Sequence, residues 1–502
     1  MSFRESSVVV IESGRYTVRA GRGLGDFLVP APSVEIRACV GLRKNGMQVD
    51  AGPSSGLPLK LSRYLVGAAL DDAEQAGEEL DIFWPFKAGG IQDWAQAEAI
   101  WRYILFTALQ LRRSQNEFPV ILSILPNMSR GTHEMITQLF FERFNVAALS
   151  IFERPLLQLY AANNLSGIVV DIGRDVTDIT PIIDCEIHRS GVRTVAIGVE
   201  DCELYLAHLL KSNTSVITQL NTPVQLSPEL LNKTLVKLVR QVWRDGLIHV
   251  PFSEGFTPAQ APPEDDGGMN IAAVLVAGKE KAVIEAAGQR KKTAAQEKRA
   301  AASAAEKERV ALDLVDVEFT FSAQGTLAGT TEERKVTITL GRERHQFCEP
   351  LFDPALLSRI TPTPANKAYG KQLGGNIMGL QEAVRAATAT VDSTQRFLVW
   401  DGIFLTGDML SVKNLEAALH YRLSPYVIRD PETALHVQPT AIRMLKIPDY
   451  FAEYRERGDV LAAFLGACIV AKLTFTDSSG KNFVSKADYA EKGPTAIREI
   501  IL

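Results

Sequence analysis

The chain has 502 residues, and its 54 Lys and Arg stand against 59 Asp and Glu, so the formal net charge is −5. This mildly acidic balance argues against a nucleic-acid binder that works through bulk positive charge, although a local basic segment could still act. Hydrophobic residues make up 46% of the chain and charged residues 23%, which is typical of a globular protein with enough core for two or more domains. The sequence has no apolar run of about 18 residues, so we expect no membrane span.

The cysteines and the start of the chain indicate the compartment. The five cysteines are scattered and odd in number, which fits a reducing environment better than a disulfide framework. Residues 1–5 lack the apolar core of a signal peptide. We therefore expect an intracellular protein. The cysteines are Cys39, Cys185, Cys202, Cys348 and Cys468, and we expect Cys185 and Cys202 to serve packing.

Strand-like and helix-like segments alternate along the first 210 residues. Apolar runs predict strands over residues 7–12, 119–125 and 167–171, and a further short strand opens at Val18. Apolar residues at helical spacing or segments between strands predict helices over residues 93–113, about 132–144 and 201–210. The alternation predicts an α/β architecture, with helices packed on a mostly parallel or mixed sheet. Residues 42–62, dense in Gly, Pro and Ser, predict a loop.

The composition changes sharply after Pro251. Residues 253–268 are rich in Pro, Gly and acidic side chains, which predicts disorder. Residues 289–309 contain no Gly or Pro and are nearly all Ala, Lys, Arg and Glu, which predicts a helix. Residues 279–309 contain nine Lys and Arg and five Glu, so this stretch is basic. The segment 253–310 is thus predicted to be an insertion, whose helix is either a solvated surface helix or an arm that contacts an acidic partner.

Two stretches share a strand–turn–strand design. In the first, Glu12 ends a strand and Gly14 lies in the turn; in the second, Asp171 and Gly173 hold the same places. Such a pair resembles the actin superfamily, in which turn N–H groups point at nucleotide phosphates and strand-end carboxylates orient hydrated Mg²⁺. The resemblance implies a degenerate nucleotide cleft formed by Glu12, Gly14, Asp171, Gly173, Arg174, Thr177 and Gly407. Glu12 and Asp171 are its metal-directed groups if Mg-nucleotide binds.

Other stretches resemble actin in the same order along nearly the whole chain. They are residues 98–101, 119–122, 137–146, 338–344, 349–352, 404–407, 464–467 and 489–494. The resemblance implies the actin-like α/β fold, a duplicated ribonuclease-H-type fold with two lobes around a nucleotide cleft. The lobes would comprise residues 1–154 plus about 459–502, and residues 155–458, with the insertion at 253–310 in the second.

The cleft positions also depart from the actin pattern. Arg15 and Tyr16 replace small residues of the first turn, Arg174 and Asp175 replace an aspartate and a glycine of the second, and Asp408 replaces a purine-side glycine. Arg154 matches the position of the glutamine that orients the attacking water. Arginine can neither accept a proton from water nor present an amide to it. We therefore expect ATP hydrolysis to be lost or very slow, so that the chain is not an enzyme.

The residues leave nucleotide binding open, and no cofactor is expected to be required. The competing expectation for the cleft is an internal ion-pair cluster of Glu12, Asp171 and Arg174, with Arg15 and Arg174 taking the place of phosphate and metal. His345 and Cys348 form half of a zinc-ligand pattern without a second half, so we read His345 as a core or surface histidine.

The altered turns, the 42–62 loop and the basic insertion together resemble the fungal nuclear actin-related proteins of SWI/SNF- and RSC-type remodellers. This resemblance implies a non-catalytic subunit that binds a helix of the motor ATPase together with a second actin-related protein, regulates remodelling and transcription, and reaches chromatin indirectly. It also implies a nuclear location, with no homo-filament and no membrane partner. The alternatives are an ATP-binding, weakly hydrolysing actin-like cytoskeletal protein, and a small-molecule kinase of the same superfamily.

Overall fold

The computed structural model describes most of the chain outside the predicted insertion. The described residues are 3–24, 31–44, 61–87, 90–114, 118–222, 226–251, 316–327, 330–360, 377–409, 412–427, 439–451, 454, 460–476 and 482–500. The insertion predicted at 253–310 and residues 45–60 of the predicted loop lie outside them. Leu42 and Arg43, placed in that loop by the sequence, instead end a strand, because they pair with residues 80 and 81.

The contacts divide the chain into two units. The first unit comprises Met1–Gly198, Glu382–Leu410 and Pro425–Leu502, and the second comprises Val199–Gln381 and Ser411–Ser424. The first unit therefore holds both strand–turn–strand stretches. This division groups residues 155–198 with residues 1–154, whereas the lobes implied by the resemblance separate them; those lobe boundaries stay a prediction.

The first unit contains two six-stranded sheets, and the second unit contains the two-stranded hairpin of residues 317–327 and 330–340. The strands are β1 Val9–Ser13, β2 Thr17–Arg22, β3 Val34–Arg37, β4 Val40–Arg43, β5 Leu80–Phe83, β6 Phe86–Lys87, β7 Gly90–Ile91, β8 Pro119–Ile124, β9 Ala148–Glu153, β10 Gly167–Ile172, β11 Thr177–Ile183, β12 Glu186–Ile187, β13 Arg193–Val195, β14 Val317–Leu327, β15 Thr330–Leu340, β16 Ile403–Gly407, β17 Met444–Leu445 and β18 Val484–Ser485. One sheet has the order β18-β9-β8-β1-β2-β3, and the other has the order β12-β11-β10-β16-β17, with β13 paired to β11.

Helices follow the strands in the alternation that the sequence predicts. They are α1 Ala68–Gln75, α2 Trp94–Arg102, α3 Arg130–Leu139, α4 Arg154–Ala161, α5 Val199–Lys211, α6 Thr214–Asn221, α7 Pro228–Arg244, α8 Glu349–Phe352, α9 Leu380–Ala389, α10 Arg396–Trp400, α11 Leu415–Leu423, α12 Ala462–Thr476 and α13 Lys486–Lys492. The helices predicted at 93–113 and about 132–144 end as π-helices, Tyr103–Ala108 after α2 and Phe140–Phe144 after α3. Within the described residues, no helix combines the length and the apolarity that crossing a bilayer demands.

The first sheet is buried on both faces, as the apolar run of β1 predicts. Val9 and Ile11 pack in a cluster with Trp101, while Val10 packs in a second cluster with Phe464. Successive strand residues point to opposite faces, so these two clusters cover opposite sides of β1. Every residue of β8 and β10 is also buried. The predicted α/β class and the predicted strands at 7–12, 119–125 and 167–171 are thereby confirmed.

The second unit has its own core. The apolar face of α7 includes Leu235, Leu238 and Val242, all of them buried. Strands β14 and β15 pair antiparallel over eleven residues each. His345 is buried, and its Nδ1 lies 3.0 Å from the carbonyl oxygen of His249, as expected for a core histidine. Cys348 is buried as a free thiol, and burial raises its pKa.

A close approach of α4 and α12 generates a stability prediction. A Cβ atom on Gly466 would lie 1.8 Å from the backbone oxygen of Leu157, which only a shift of one helix could relieve. We expect Gly466→Ala to lower the free energy of unfolding by about 3 kcal/mol, measured by chemical denaturation of the purified chain.

The matched control is Gly131→Ala in α3. There the nearest atom to an added Cβ is the Ser129 hydroxyl at 3.8 Å. Because alanine is the better helix former, this variant should be neutral or up to about 1 kcal/mol more stable. Equal losses at Gly131 and Gly466 would contradict the packing argument.

Candidate functional site

The site lies where the strands of the two sheets of the first unit end. Strands β1, β8 and β9 run parallel, so Glu12 near the end of β1 and Arg154 directly after β9 lie at the same edge. In the other sheet β10 and β16 run parallel, with Asp171 opposite Thr406 and Ile172 opposite Gly407. Carboxyl ends of parallel strands are where ligands bind in α/β sheets.

The two hairpins carry equivalent positions with different charges. In the first hairpin, Glu12 lies directly opposite Arg19, and the Arg19 Nη1 atom is 3.4 Å from the Glu12 Oε1 atom. In the second hairpin, Asp171 lies directly opposite Asp178. Like charges opposite each other destabilise a strand pair. The second hairpin thus needs cations from elsewhere in the fold.

Arg154 supplies one of these cations. Its Nη1 atom lies 3.0 Å from Asp171 Oδ2, and its Nε atom lies 3.3 Å from Glu12 Oε1. Gln158, one helical turn further along α4, donates from Nε2 to the same Asp171 oxygen at 2.9 Å. One guanidinium therefore bridges the two carboxylates that the resemblance assigns to Mg²⁺.

Arg15 supplies the other cation. It extends from the turn of the first hairpin, and its Nη1 atom donates to Asp178 Oδ2 at 2.5 Å. Asp178 Oδ1 accepts from the Thr194 hydroxyl at 2.7 Å. Burial opposes the charge on Arg15, but the charge and hydrogen bond of Asp178, together with the charges of Asp175 and Asp171, outweigh it, so the pKa of Arg15 is raised. The first hairpin thus neutralises a carboxylate of the second hairpin through Arg15.

The turns are closed by their own backbone bonds. The N–H of Gly14 donates to Thr17 O at 3.0 Å, and the N–H of Gly173 donates to Val176 O, also at 3.0 Å. The Tyr16 ring packs beside Trp84, with ring centroids 5.0 Å apart. Those two glycine amides, which the resemblance directs at phosphates, are already engaged within their hairpins.

The turn after β16 completes the cleft. Gly407 has φ +109°, and a Cβ atom there would lie 2.2 Å from Ile172 O, so only glycine fits. Asp408 follows it and is largely buried. Burial and the nearby Asp171 raise the pKa of Asp408, while Arg154, Arg19 and Arg174 act in the opposite direction.

The space left between these groups is small. The cleft encloses a cavity of about 40 Å³, lined by Glu12, Gly14, Arg15, Tyr16, Thr17, Arg19, Arg154, Asp171, Ile172, Gly173, Arg174, Asp175, Gly407 and Asp408. This volume has room for a few water molecules. In the part of the chain that the structure describes, no three or more His, Cys, Asp or Glu side chains group as a metal site. The residues therefore do not fit a magnesium triphosphate.

Six of the seven predicted cleft residues line this cavity, and Thr177 does not. Its hydroxyl is buried and donates to Ile197 O at 2.8 Å, because Thr177 begins β11 and points away from the cavity lining. The ion-pair cluster anticipated between the hairpins contains Arg154, which the sequence linked only to a lost water-orienting role. Arg19 and Asp178 were missed as well. The sequence feature that could have identified them is their position in the returning strand of each hairpin, where Arg19 lies opposite Glu12 and Asp178 lies opposite Asp171.

The comparisons with known proteins agree with this architecture. The profile of the actin family matches residues 3–500, and the chain belongs to the actin family. It is similar to the "SWI/SNF and RSC complexes subunit arp9" of Schizosaccharomyces pombe (strain 972 / ATCC 24843), with 26% identity over 558 residues that cover 99% of each chain. The predicted resemblance to a fungal actin-related protein of this class is confirmed, as is the actin-like fold.

The pairing of Arg15 with Asp178 can be tested by a double-mutant cycle. Arg15→Met leaves Asp171 and Asp178 facing each other with one cation fewer, so we expect a loss of about 3–5 kcal/mol in the free energy of unfolding. Adding Asp178→Asn should recover part of that loss. Arg37→Met is the matched control, because Arg37 pairs with Asp71 at the exposed surface and should cost less than about 1 kcal/mol. Strictly additive losses at Arg15 and Asp178 would contradict the pairing.

Asp408 predicts a pH dependence. Its pKa is raised in the folded state, so the folded chain carries a destabilising ionised carboxylate once the pH exceeds that folded pKa. Asp408→Asn imitates the protonated form and should raise the Tm by a few degrees at pH 7. As the pH falls through the folded pKa, wild-type Asp408 takes up its proton and the difference in Tm should vanish. A Tm difference that is constant between pH 7 and pH 4 would refute the assignment.

Proposed function

We propose that this chain is a non-catalytic actin-related subunit of a nuclear ATP-dependent chromatin-remodelling complex. The observation that carries the proposal is the similarity, over 99% of both chains, to a subunit of the SWI/SNF and RSC complexes of Schizosaccharomyces pombe. A match along the whole length, with no large part of either chain left over, supports the same kind of role for both. A nuclear location follows from that role.

The charges in the cleft support a non-catalytic role. Hydrolysis requires an oriented water and a metal that bridges phosphate oxygens. Arg154 stands at the water-orienting position, and its guanidinium is paired with Glu12 and Asp171. Asp175 and Asp408 also line the cavity of about 40 Å³, and their negative charges repel phosphate. We infer that ATP hydrolysis is absent and that no cofactor is required.

The partners follow from the same proposal. We infer that the chain binds a helix of the motor ATPase subunit together with a second actin-related protein, and through them regulates remodelling and transcription. Contact with chromatin would be indirect, in keeping with the net charge of −5. The chain would act as a rigid binding body and not as a unit of a homopolymer.

Affinity purification of the full chain from its own cells, followed by mass spectrometry, tests the assembly. We expect a remodeller motor ATPase and a second actin-related protein in constant ratio to the chain. Adenine nucleotide released by acid from the same material should fall far below one per chain. Recovery of the chain without a motor ATPase, and with one ADP per chain, would overturn the proposal in favour of an actin-like cytoskeletal protein.

A steady-state assay on the isolated chain tests the loss of hydrolysis separately. We expect no release of phosphate from Mg-ATP above that of the matched control Asp171→Asn, which removes the second strand-end charge. Turnover by the wild-type chain that disappears in the Asp171→Asn variant would show a working ATPase. Assembly and hydrolysis can fail independently, so the two experiments separate the role of the subunit from the chemistry of its cleft.

A further inference from the structure

We propose that Arg154 is a built-in replacement for the divalent cation of the cleft. Its guanidinium joins the strand ends of the two sheets, so the folded chain needs neither metal nor nucleotide to hold them together. The inference concerns how the chain stabilises its own fold. It goes beyond the proposed function, and it would stand if the chain belonged to a different assembly.

The two carboxylates that Arg154 contacts are buried. Glu12 is 1% exposed and Asp171 is 8% exposed, and they belong to different sheets. A buried carboxylate without a counter-ion is strongly destabilising, and two that face one centre also repel each other. A positive charge between Glu12 and Asp171 is therefore a requirement of the fold. Arg154 meets it at 3.3 and 3.0 Å.

The backbone places this cation. Arg154 is the first residue of α4, directly after β9, and β9 is separated from β1 only by β8. Adjacent strands lie about 4.8 Å apart, so a long side chain at the end of β9 reaches past β8 to Glu12. Gln158 on the next turn binds Asp171 as well, which ties α4 to β10 by two side chains. The position of Arg154 at the start of α4 thus places the guanidinium, and the Gln158 hydrogen bond holds Asp171 beside it.

A guanidinium differs from a metal ion in two ways that matter here. Arginine stays protonated throughout the physiological pH range, and it cannot dissociate from the chain. A divalent cation beside the guanidinium would be repelled because both are positively charged. It would also have to compete with the guanidinium for Glu12 and Asp171. The stability of the wild-type chain should therefore not change with Mg²⁺ or with chelators. Without Arg154, the same two carboxylates would face a small cavity with room for water. Carboxylate oxygens together with water molecules are the ligands that Mg²⁺ prefers.

Thermal unfolding of the full chain tests this. We compare the wild type and Arg154→Ala in EDTA and in excess MgCl₂. The wild-type Tm should be the same in both. Arg154→Ala should melt roughly 5–10 °C lower in EDTA, because it removes the cation beside buried Asp171 and leaves buried Glu12 with Arg19 alone. Mg²⁺ should restore several degrees of that loss in Arg154→Ala alone, since a ligand stabilises the state that binds it.

Two further variants sharpen the result. Arg189→Ala is the matched control, because Arg189 pairs with one buried carboxylate, Glu153, at 2.7 Å. It should lower the Tm without any response to Mg²⁺. The double variant Glu12→Gln/Arg154→Gln removes one carboxylate together with the cation, so it should be more stable than Arg154→Ala and should not respond to Mg²⁺. It also keeps the test decisive if Arg154→Ala does not fold.

Three outcomes would overturn the inference. A wild-type Tm that rises with Mg²⁺ or falls with EDTA would show that Arg154 does not hold the cation position. An Arg154→Ala Tm equal to that of the wild type would show that no cation is needed there. A loss of stability in Arg154→Ala that Mg²⁺ does not relieve, with the same behaviour in Arg189→Ala, would reduce Arg154 to an ordinary buried ion pair. None of these outcomes bears on whether the chain assembles with a motor ATPase.

Discussion

The first unit of this protein depends on one electrostatic requirement. Two buried carboxylates, Glu12 and Asp171, lie at the strand ends of different sheets, and a positive charge must lie between them. Burial leaves both carboxylates poorly solvated, so each needs a counter-ion. The Arg154 guanidinium provides the charge from within the chain. This single bridge fits the start of α4 at Arg154, directly after β9, and the small cavity of about 40 Å³.

The rest of the cleft extends the same principle. Arg19 faces Glu12 across the first hairpin, while Asp178 faces Asp171 across the second and receives Arg15 from the first. Charges that would contact phosphates and metal in a nucleotide-binding cleft are here satisfied by one another. A cleft neutralised from inside has little to offer a triphosphate. This is the physical link between the site and the proposed non-catalytic role.

Much of the fold could be predicted from local signals. The segments 7–12 and 119–125 are predicted as buried strands because burial on both faces leaves a nearly continuous apolar sequence. The hairpin turns were visible as Gly14 and Gly173 beside acidic strand ends. Interruptions within elements were not visible: α2 ends at Arg102 and continues as a π-helix, which spacing of apolar residues does not distinguish from an α-helix.

By itself the sequence determined the family, the two hairpins and the identity of eleven of the fourteen cavity-lining residues, because these depend on residue types at short spacing. Only the tertiary structure decided which charges meet. Arg154 reaches Glu12, which is 142 positions earlier in the chain, and Arg15 reaches Asp178, 163 positions later. Long side chains can pair with any carboxylate nearby, so their partners are set by strand order and by the placement of the two sheets. Thr177 shows the converse: its type suits a phosphate site, but its place in β11 commits its hydroxyl to Ile197.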